Sequence, residues 1–327
     1  MRPPLAPDLP NSGQRQVSVV IPARNEAASI ASVIHAVQAS APRGLGLEII
    51  VVDDGSSDDT AAVARAAGAR TLVLGPDADG GNPARARNRG AAVAHGDPVV
   101  FLDADCTPSA GWLPELLAAH DAGKQVVGGS LDLPPDLPAS ARCDYYCGWY
   151  HVHSARPSGS VPNHPPGNLS VRRQLFADSV GFTEQHPIAY AHEELAWQSE
   201  VQRRGIEIFF QPSAIVFHRN RPGLRNLLRR NYRWGYSAIE SKASTGAARM
   251  GWLYRHPAWL IAGSIPLAFV STVYILGCWL RVRAIEPALM LPALLAARLA
   301  YSAGLVAGGV RWIRHGGAAP AMRPRWE

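Results

Sequence analysis

Asp103-Ala104-Asp105 directly follows the apolar run Val99-Val100-Phe101-Leu102, and Asp53-Asp54 directly follows Ile49-Ile50-Val51-Val52. Short β-branched runs of this kind read as buried strands, parallel ones covered on both faces. Each therefore delivers carboxylates to the carboxyl end of a strand, the edge at which open α/β sheets bind ligands. Two carboxylates one residue apart can hold a hard divalent cation through oxygen. A cation there is well placed to hold a diphosphate. One acidic turn would merely end a strand; two in the same sheet argue for a site.

The elements that must position these groups alternate. Val17-Ser-Val-Val-Ile21 is a strand ended by Pro22, and Asn25-Glu26 opens a helix carrying Ile30, Val33, Ile34 and Val37. Gly55 to Thr60 is a turn and cap leading into an Ala-rich helix to Ala67. Thr71-Leu-Val-Leu74 is a third strand, Ala84 to His95 a helix, and Val99 to Leu102 the fourth strand. This βαβαβαβ order implies an α/β fold: a doubly wound, mostly parallel sheet with right-handed crossovers. No Gly-x-Gly-x-x-Gly follows the first strand, which argues against a dinucleotide site and hydride transfer.

Composition adds a second theme. Of 327 residues, 47% are apolar, enough for a core and more. The Pro-rich start, residues 1–16, reads as a disordered tail without a secretory signal. Four scattered cysteines fit a reducing compartment. Between Arg219 and Arg255 nine basic side chains face one acid, Glu240, so this block exceeds the whole chain's net charge of +6. With Leu224, Leu227, Leu228 and Tyr232 at helical spacing, residues 219–257 read as a basic interfacial helix segment. Ala258 to Leu280 then gives 23 uncharged residues, and Pro287 to Val310 gives 24 with one charge, Arg298. A span needs about 20, so residues 258–310 are expected to form a two-helix transmembrane hairpin. The flanking arginines place both ends, including a basic tail at 311–327, in the cytoplasm at the inner membrane. A basic block alone would suit nucleic acid; the apolar hairpin argues for lipid instead.

Four segments in order resemble the family 2 glycosyltransferases, which have the GT-A fold. They are Val19-Val-Ile-Pro-Ala-Arg-Asn-Glu26, Val51-Val-Asp-Asp-Gly-Ser-Ser-Asp-Asp-Thr60, Ala86-Arg-Asn-Arg-Gly90 and Phe101-Leu-Asp-Ala-Asp105. The resemblance covers about Val17 to Tyr236 and implies a catalytic domain at 17–218. It implies that Pro22, Arg24 and Glu26 line a nucleoside pocket, that Asp54 with Asp53 beside it reads the base, and that Arg87 contacts base or diphosphate, with Arg85 and Arg89 competing for that role. Asp105 matches the ligand of Mg²⁺ or Mn²⁺, and Asp103 a contact to ribose or metal. A departing nucleoside diphosphate gains negative charge, which a bound cation stabilises as a Lewis acid.

The second half is expected to receive the acceptor. Val126-Val-Gly-Gly-Ser130 reads as a strand ending where glycines let a ligand approach the backbone closely, and Gly167-Asn-Leu-Ser-Val-Arg-Arg173 resembles the family segment bordering the donor sugar, so Gly129 and Asn168 are expected beside the sugar. The family has Glu-Asp where this chain has Glu193-Glu194, which makes Glu194 the matching general base, one methylene longer. Two glutamates at a helix start otherwise compensate the helix dipole. His218 ends a strand and matches a metal ligand in some members; an isolated His there is as often structural. Arg230-Asn-Tyr-Arg-Trp234 is similar to the Gln-x-x-Arg-Trp motif of processive synthases, with Arg230 in place of Gln. There Trp234 would stack on an acceptor sugar and Arg233 hold a phosphate, against the plainer reading of a snorkelling Arg and an anchoring Trp. The aromatic stretch Asp144 to Tyr150 is expected to pack on the membrane or an acceptor lipid, and Ser154 to Pro166 to be a mobile loop.

The expected activity is inverting, metal-dependent transfer from a nucleotide sugar to a hydroxyl or phosphate acceptor, lipid-linked or a glycan, at the inner membrane face. A polysaccharide synthase extending a cell-surface glycan is the nearest alternative. A nucleotide-sugar-binding but inactive envelope protein is the alternative of another class. Nucleic acid is not an expected partner.

Overall fold

The computed structural model describes residues 15–75, 81–184, 192–245 and 251–317. The first half alternates as expected: β1 (Gln16–Ala23), α1 (Ile30–Ser40), β2 (Gly46–Asp53), α2 (Thr60–Ala66), β3 (Arg70–Val73), α3 (Pro83–Ala92) and β4 (Val99–Leu102). There follow β5 (Cys106–Pro108), α4 (Trp112–Asp121), β6 (Val126–Asp132), α5 (Ala139–Gly148), β7 (Gly159–Val161), β8 (Asn168–Val171), α6 (Arg173–Ala177), α7 (Leu195–Arg203) and β9 (Ile208–His218). The remainder is helical: α8 (Leu224–Thr245), α9 (Gly251–Arg255), α10 (Pro257–Ala262), α11 (Ser264–Arg281), α12 (Glu286–Leu289) and α13 (Leu291–Arg314). The tail expected at 1–16 lies outside the described residues up to residue 14.

One sheet runs β3-β2-β1-β4-β8-β6-β9-β5, with β7 paired to β9. Strand β1 is parallel to both β2 and β4, so the chain winds away from it in two directions. That switch point sets the carboxyl ends of three strands side by side, the place where such sheets take ligands. Strand β8 runs antiparallel to β4 and β6, and β5 and β7 antiparallel to β9, so the sheet is mixed rather than mostly parallel.

Period-2 alternation splits β1 between two apolar layers. Val17, Val19 and Ile21 meet Ile30, Val33, Ile34 and Val37 on one face. Val20 joins Ile50, Val52 and Phe101 on the other, where Phe176, Phe182 and Trp197 close the layer. Each such side chain removed from water contributes about 1.5–3 kcal/mol. Helix α3 approaches this face through Gly90, where a Cβ would stand 2.3 Å from Val20 Cγ1.

Three expectations need correction. The loop expected at Ser154 to Pro166 carries β7, which pairs with β9. Neither long apolar run is one helix: α10 stops before Gly263, and α12 and α13 divide at Met290. Helices α10, α12 and α13 each carry a proline at their first or second residue (Pro257, Pro287, Pro292), where its missing N–H is harmless. Tyr145 and Tyr146 meet their own chain rather than lipid: both are buried against Trp279, whose Nε1 donates to Tyr146 O at 2.9 Å. The basic tail is helical as far as Arg314.

Helices α11 and α13 are long and apolar enough to cross a membrane. Helix α13 packs along α8 with the two backbones in contact. A Cβ on Gly235 would lie 1.9 Å from Tyr301 O, on Gly304 2.0 Å from Tyr232 O, and on Gly308 2.1 Å from Tyr236 O. Small residues four apart allow this approach. Gly304→Val is therefore expected to destabilise the protein by about 1–3 kcal/mol, the usual range for overpacking. Gly277→Ala, with nothing within 4 Å of the new methyl, should leave the melting temperature unchanged or raise it. Thermal melts of both variants in detergent measure the difference.

Candidate active site

Asp53 and Asp54 end β2, both buried. Asp53 Oδ1 accepts from Ser56 N at 2.8 Å, the Asx turn that stops the strand. Asp54 accepts from Arg85 Nη2 at 2.6 Å and from the amide of Asn82. Asn82 caps α3 through its Oδ1, which accepts from Arg85 N at 3.1 Å. Glu26 organises the loop after β1: its carbonyl accepts from Ile30 N at 2.9 Å and its carboxylate from Ser29 Oγ at 2.7 Å. Arg221 reaches the same carboxylate at 3.4 Å. Pro22, in register with Val52, and Arg24 complete this edge. Arg24 Nη1 is buried with no hydrogen-bond partner among the described residues.

Arg87 ties the two halves of the site together. One turn before Gly90 on α3, it points inward and is 4% exposed. Its Nη2 donates to Asp103 Oδ1 at 2.5 Å and its Nη1 to Glu193 Oε1 at 2.8 Å. Arg85 instead holds Asp54, and Arg89 is exposed, so the three arginines of this tract have three different surroundings. Asp103 is set by Gly167, where a Cβ would stand 2.5 Å from its Oδ2. Asn88, which the sequence does not single out, anchors the other wall: its Nδ2 donates to Phe182 O and Glu184 Oε1, each at 2.8 Å.

Glu193 and Glu194 precede α7 and are both buried. His192 before them adopts a left-handed φ of 63°, with its Nδ1 2.8 Å from Ser237 Oγ on α8. Burial, then the neighbouring Glu193 carboxylate, push the Glu194 carboxyl up to about 8, against the pull of Arg87. Glu193 has Arg87 as a partner; Glu194 retains a proton.

Asp105, Cys106 and His218 form a group whose potential ligand atoms lie within 4.8 Å of one another. His218 Nε2 is 3.7 Å from Asp105 Oδ1. Carboxylate and imidazole suit a divalent cation. Burial and the two aspartates hold the proton on the Cys106 thiol. A chain of contacts missed in the sequence leads outward from here. His218 Nδ1 is 2.9 Å from Asn220 Oδ1, Asn220 donates to Asp144 Oδ2 at 2.8 Å, and Asp144 Oδ1 lies 2.8 Å from Arg230 Nη2. Trp149 packs on both His218 and Trp234, and Arg230 lies over the Trp234 ring. Arg230, standing where the synthase motif has Gln, thus serves Asp144.

Two residues expected beside the sugar lie against each other. Asn168 is fully buried, with Nδ2 donating to Ser130 O and Ala214 O and Oδ1 accepting from Trp112 Nε1. Gly129 exists to admit it: a Cβ there would lie 2.3 Å from Asn168 Nδ2. Both residues sit where β6, β8 and β9 meet. Trp234 and Arg233 lie half-buried on α8, with Trp234 in the aromatic group beside His218.

The glycosyl transferase family 2 model matches residues 18–178. Glycosyltransferase AglE of Haloferax volcanii is 30% identical over 230 residues, 68% of this chain and 73% of that protein. The pre-mycofactocin glycosyltransferase of Mycobacterium tuberculosis is 30% identical over 255 residues; they cover 72% of this chain but 48% of that longer protein. Among solved structures, that of a mycobacterial protein is 26% identical, with a TM-score of 0.51 over 71% of this chain and 74% of that one.

Two outcomes follow from the cluster. Arg87→Met leaves two carboxylates without their buried cation and should lower stability by about 3–5 kcal/mol, seen in denaturant titrations. Glu194 supplies a pH dependence. The folded protein holds its proton more tightly than the unfolded chain, so its stabilising contribution is full below pH 4.5 and is lost as pH rises toward about 8. Melting temperature should fall across that window in the wild type, and less so in Glu194→Gln.

Proposed function

The chain belongs to glycosyl transferase family 2, and on that basis we propose that it is an inverting, metal-dependent transferase moving a sugar from a nucleoside diphosphate to a lipid-linked acceptor at the membrane. The observation that carries this reading is the Arg87 bridge between Asp103 and Glu193, beside a proton-holding Glu194. It joins the strand-end carboxylates suited to a nucleotide with the carboxyls suited to an acceptor.

The nucleoside lies along the ends of β1 and β2, where Pro22, Arg24, Asp53 and Asp54 line the edge. The unpartnered buried Arg24 Nη1 supports an anionic or carbonyl-bearing ligand there. Asp105 and His218 would hold a divalent cation, Mg²⁺ or Mn²⁺, which supplies charge stabilisation to the leaving diphosphate. Asp103, fixed by Arg87 and Gly167, faces the same edge. Glu194 accepts the proton of the acceptor hydroxyl as that oxygen bonds to the anomeric carbon. The bond to the diphosphate oxygen breaks on the opposite face, so configuration inverts. A base with a pKa near the working pH is favoured for such transfer. Trp234, beside Trp149, offers an aromatic face to the acceptor.

The lipid-linked acceptor is supported by the apolar helices that pack on the same aromatic group. The basic flanks Arg225, Arg229, Arg311 and Arg314 favour the cytoplasmic leaflet of the cell membrane, where nucleotide sugars would reach the site.

Screening the purified chain against a panel of nucleotide sugars with a lipid-linked acceptor that carries a free sugar hydroxyl tests the reading. One donor should be consumed, and EDTA should stop its consumption. Glu194→Gln should lower transfer at least about 100-fold while donor affinity is kept. Wild-type rate should rise with pH toward a plateau above about 8. Unchanged transfer by Glu194→Gln would remove Glu194 from the mechanism.

A further inference from the structure

We propose that α10 to α13 form a monotopic anchor lying within one leaflet, so that the connector Arg281–Glu286 stays on the same side of the membrane as the catalytic domain. The inference deepens the membrane attachment proposed above and rests on it. Its content is the path of the chain.

The connector is fastened to the catalytic domain. Glu286 accepts from Arg142 Nε at 2.6 Å, from Arg142 Nη2, and from Tyr146 Oη at 2.6 Å. One step back, Trp279 is bonded to Tyr146 O and stacks on His153 with ring centroids 4.5 Å apart. A further turn and a half along α11, Tyr274 meets Tyr150 edge-on. What remains of α11 free of the catalytic domain is Ser264–Val273, about 15 Å of helix at 1.5 Å per residue. The hydrocarbon core of a bilayer is about 30 Å thick. That stretch reaches across one leaflet, not two.

Helix α13 gives the same result from the other side. Leu294 and Ala297 are buried with Cys143 and Tyr145 of α5, Gly304 and Gly308 lie on α8, and Arg311 pairs with Glu240 of α8 at 3.2 Å. Helix α8 is itself bound to the catalytic domain through Arg230–Asp144, Trp234–Trp149 and Ser237–His192. A crossing hairpin would have to strip these contacts away or pull the catalytic domain into lipid.

The outer surface suits a leaflet. Ile265, Phe269 and Val273 repeat every four residues on α11 and are at least half exposed, as are Trp259, Leu280 and Leu289. This is an apolar stripe with an aromatic ring at one end. Exposed Arg225, Arg229, Arg255, Arg281, Arg283 and Arg314 surround it, the charge complement of anionic headgroups.

Single cysteines test the path. Cys106, Cys143, Cys147 and Cys278 are all buried, so the background is low. Arg281→Cys reports the connector and Asp121→Cys the catalytic side, each in the full chain in sealed vesicles. A membrane-impermeant maleimide should label both from the same face at comparable rates. Labelling of Arg281→Cys only from the face opposite Asp121→Cys would overturn the proposal. So would failure of the protein to float with phosphatidylglycerol-containing vesicles, or a detergent-free dimer that hides the stripe. The labelling requires no turnover, so a failure of glycosyl transfer would be distinguishable from a failure of the anchor.

Discussion

The buried guanidinium of Arg87 is the interaction on which the rest depends. It takes one carboxylate from the end of β4 and one from the turn before α7, elements far apart in the chain, and fixes their separation. Two carboxylates around one cation leave the cluster already net negative. Burial first, and then this negative charge, disfavour a further charge on Glu194. The resulting proton affinity is what the proposed role of Glu194 as general base requires.

Much of this was legible in the sequence, and what was not has physical causes. The strand-end carboxylates could be read because apolar runs before Asp53 and Asp103 leave little choice of element. Which of Arg85, Arg87 and Arg89 faces inward could not be read, since that depends on the rotation of α3 about its axis. Gly90 sets that rotation by admitting Val20, a contact between residues distant in the chain. Asn168 could not be read for a related reason. A polar residue beside glycines looks available to a ligand, yet two of its hydrogen bonds join strands and a third is accepted from Trp112 of α4. The breaks at Gly263 and Met290 were marked by prolines, but unbroken hydropathy masked them.

Helix α8 links the chemistry to the anchor. Its inner face touches the site twice, through Arg230 toward the Asp144–Asn220–His218 chain and through Ser237 toward His192, the residue before the glutamate pair. Its outer face lies on α13 with no side chain between at Gly235 and Gly304. Rigid backbone contact of this kind leaves little slack. The site therefore has a fixed height and tilt relative to α13.

The central claim, that Arg87 satisfies Glu193 and leaves Glu194 holding a proton, is open to direct observation. Carbon-13 NMR of carboxyl-labelled glutamate in the wild type, with Glu194→Gln to assign the signal, follows that one group through a titration. The account predicts a resonance with a midpoint near 8 that is missing from the variant. A midpoint near the ordinary 4.5 would contradict it.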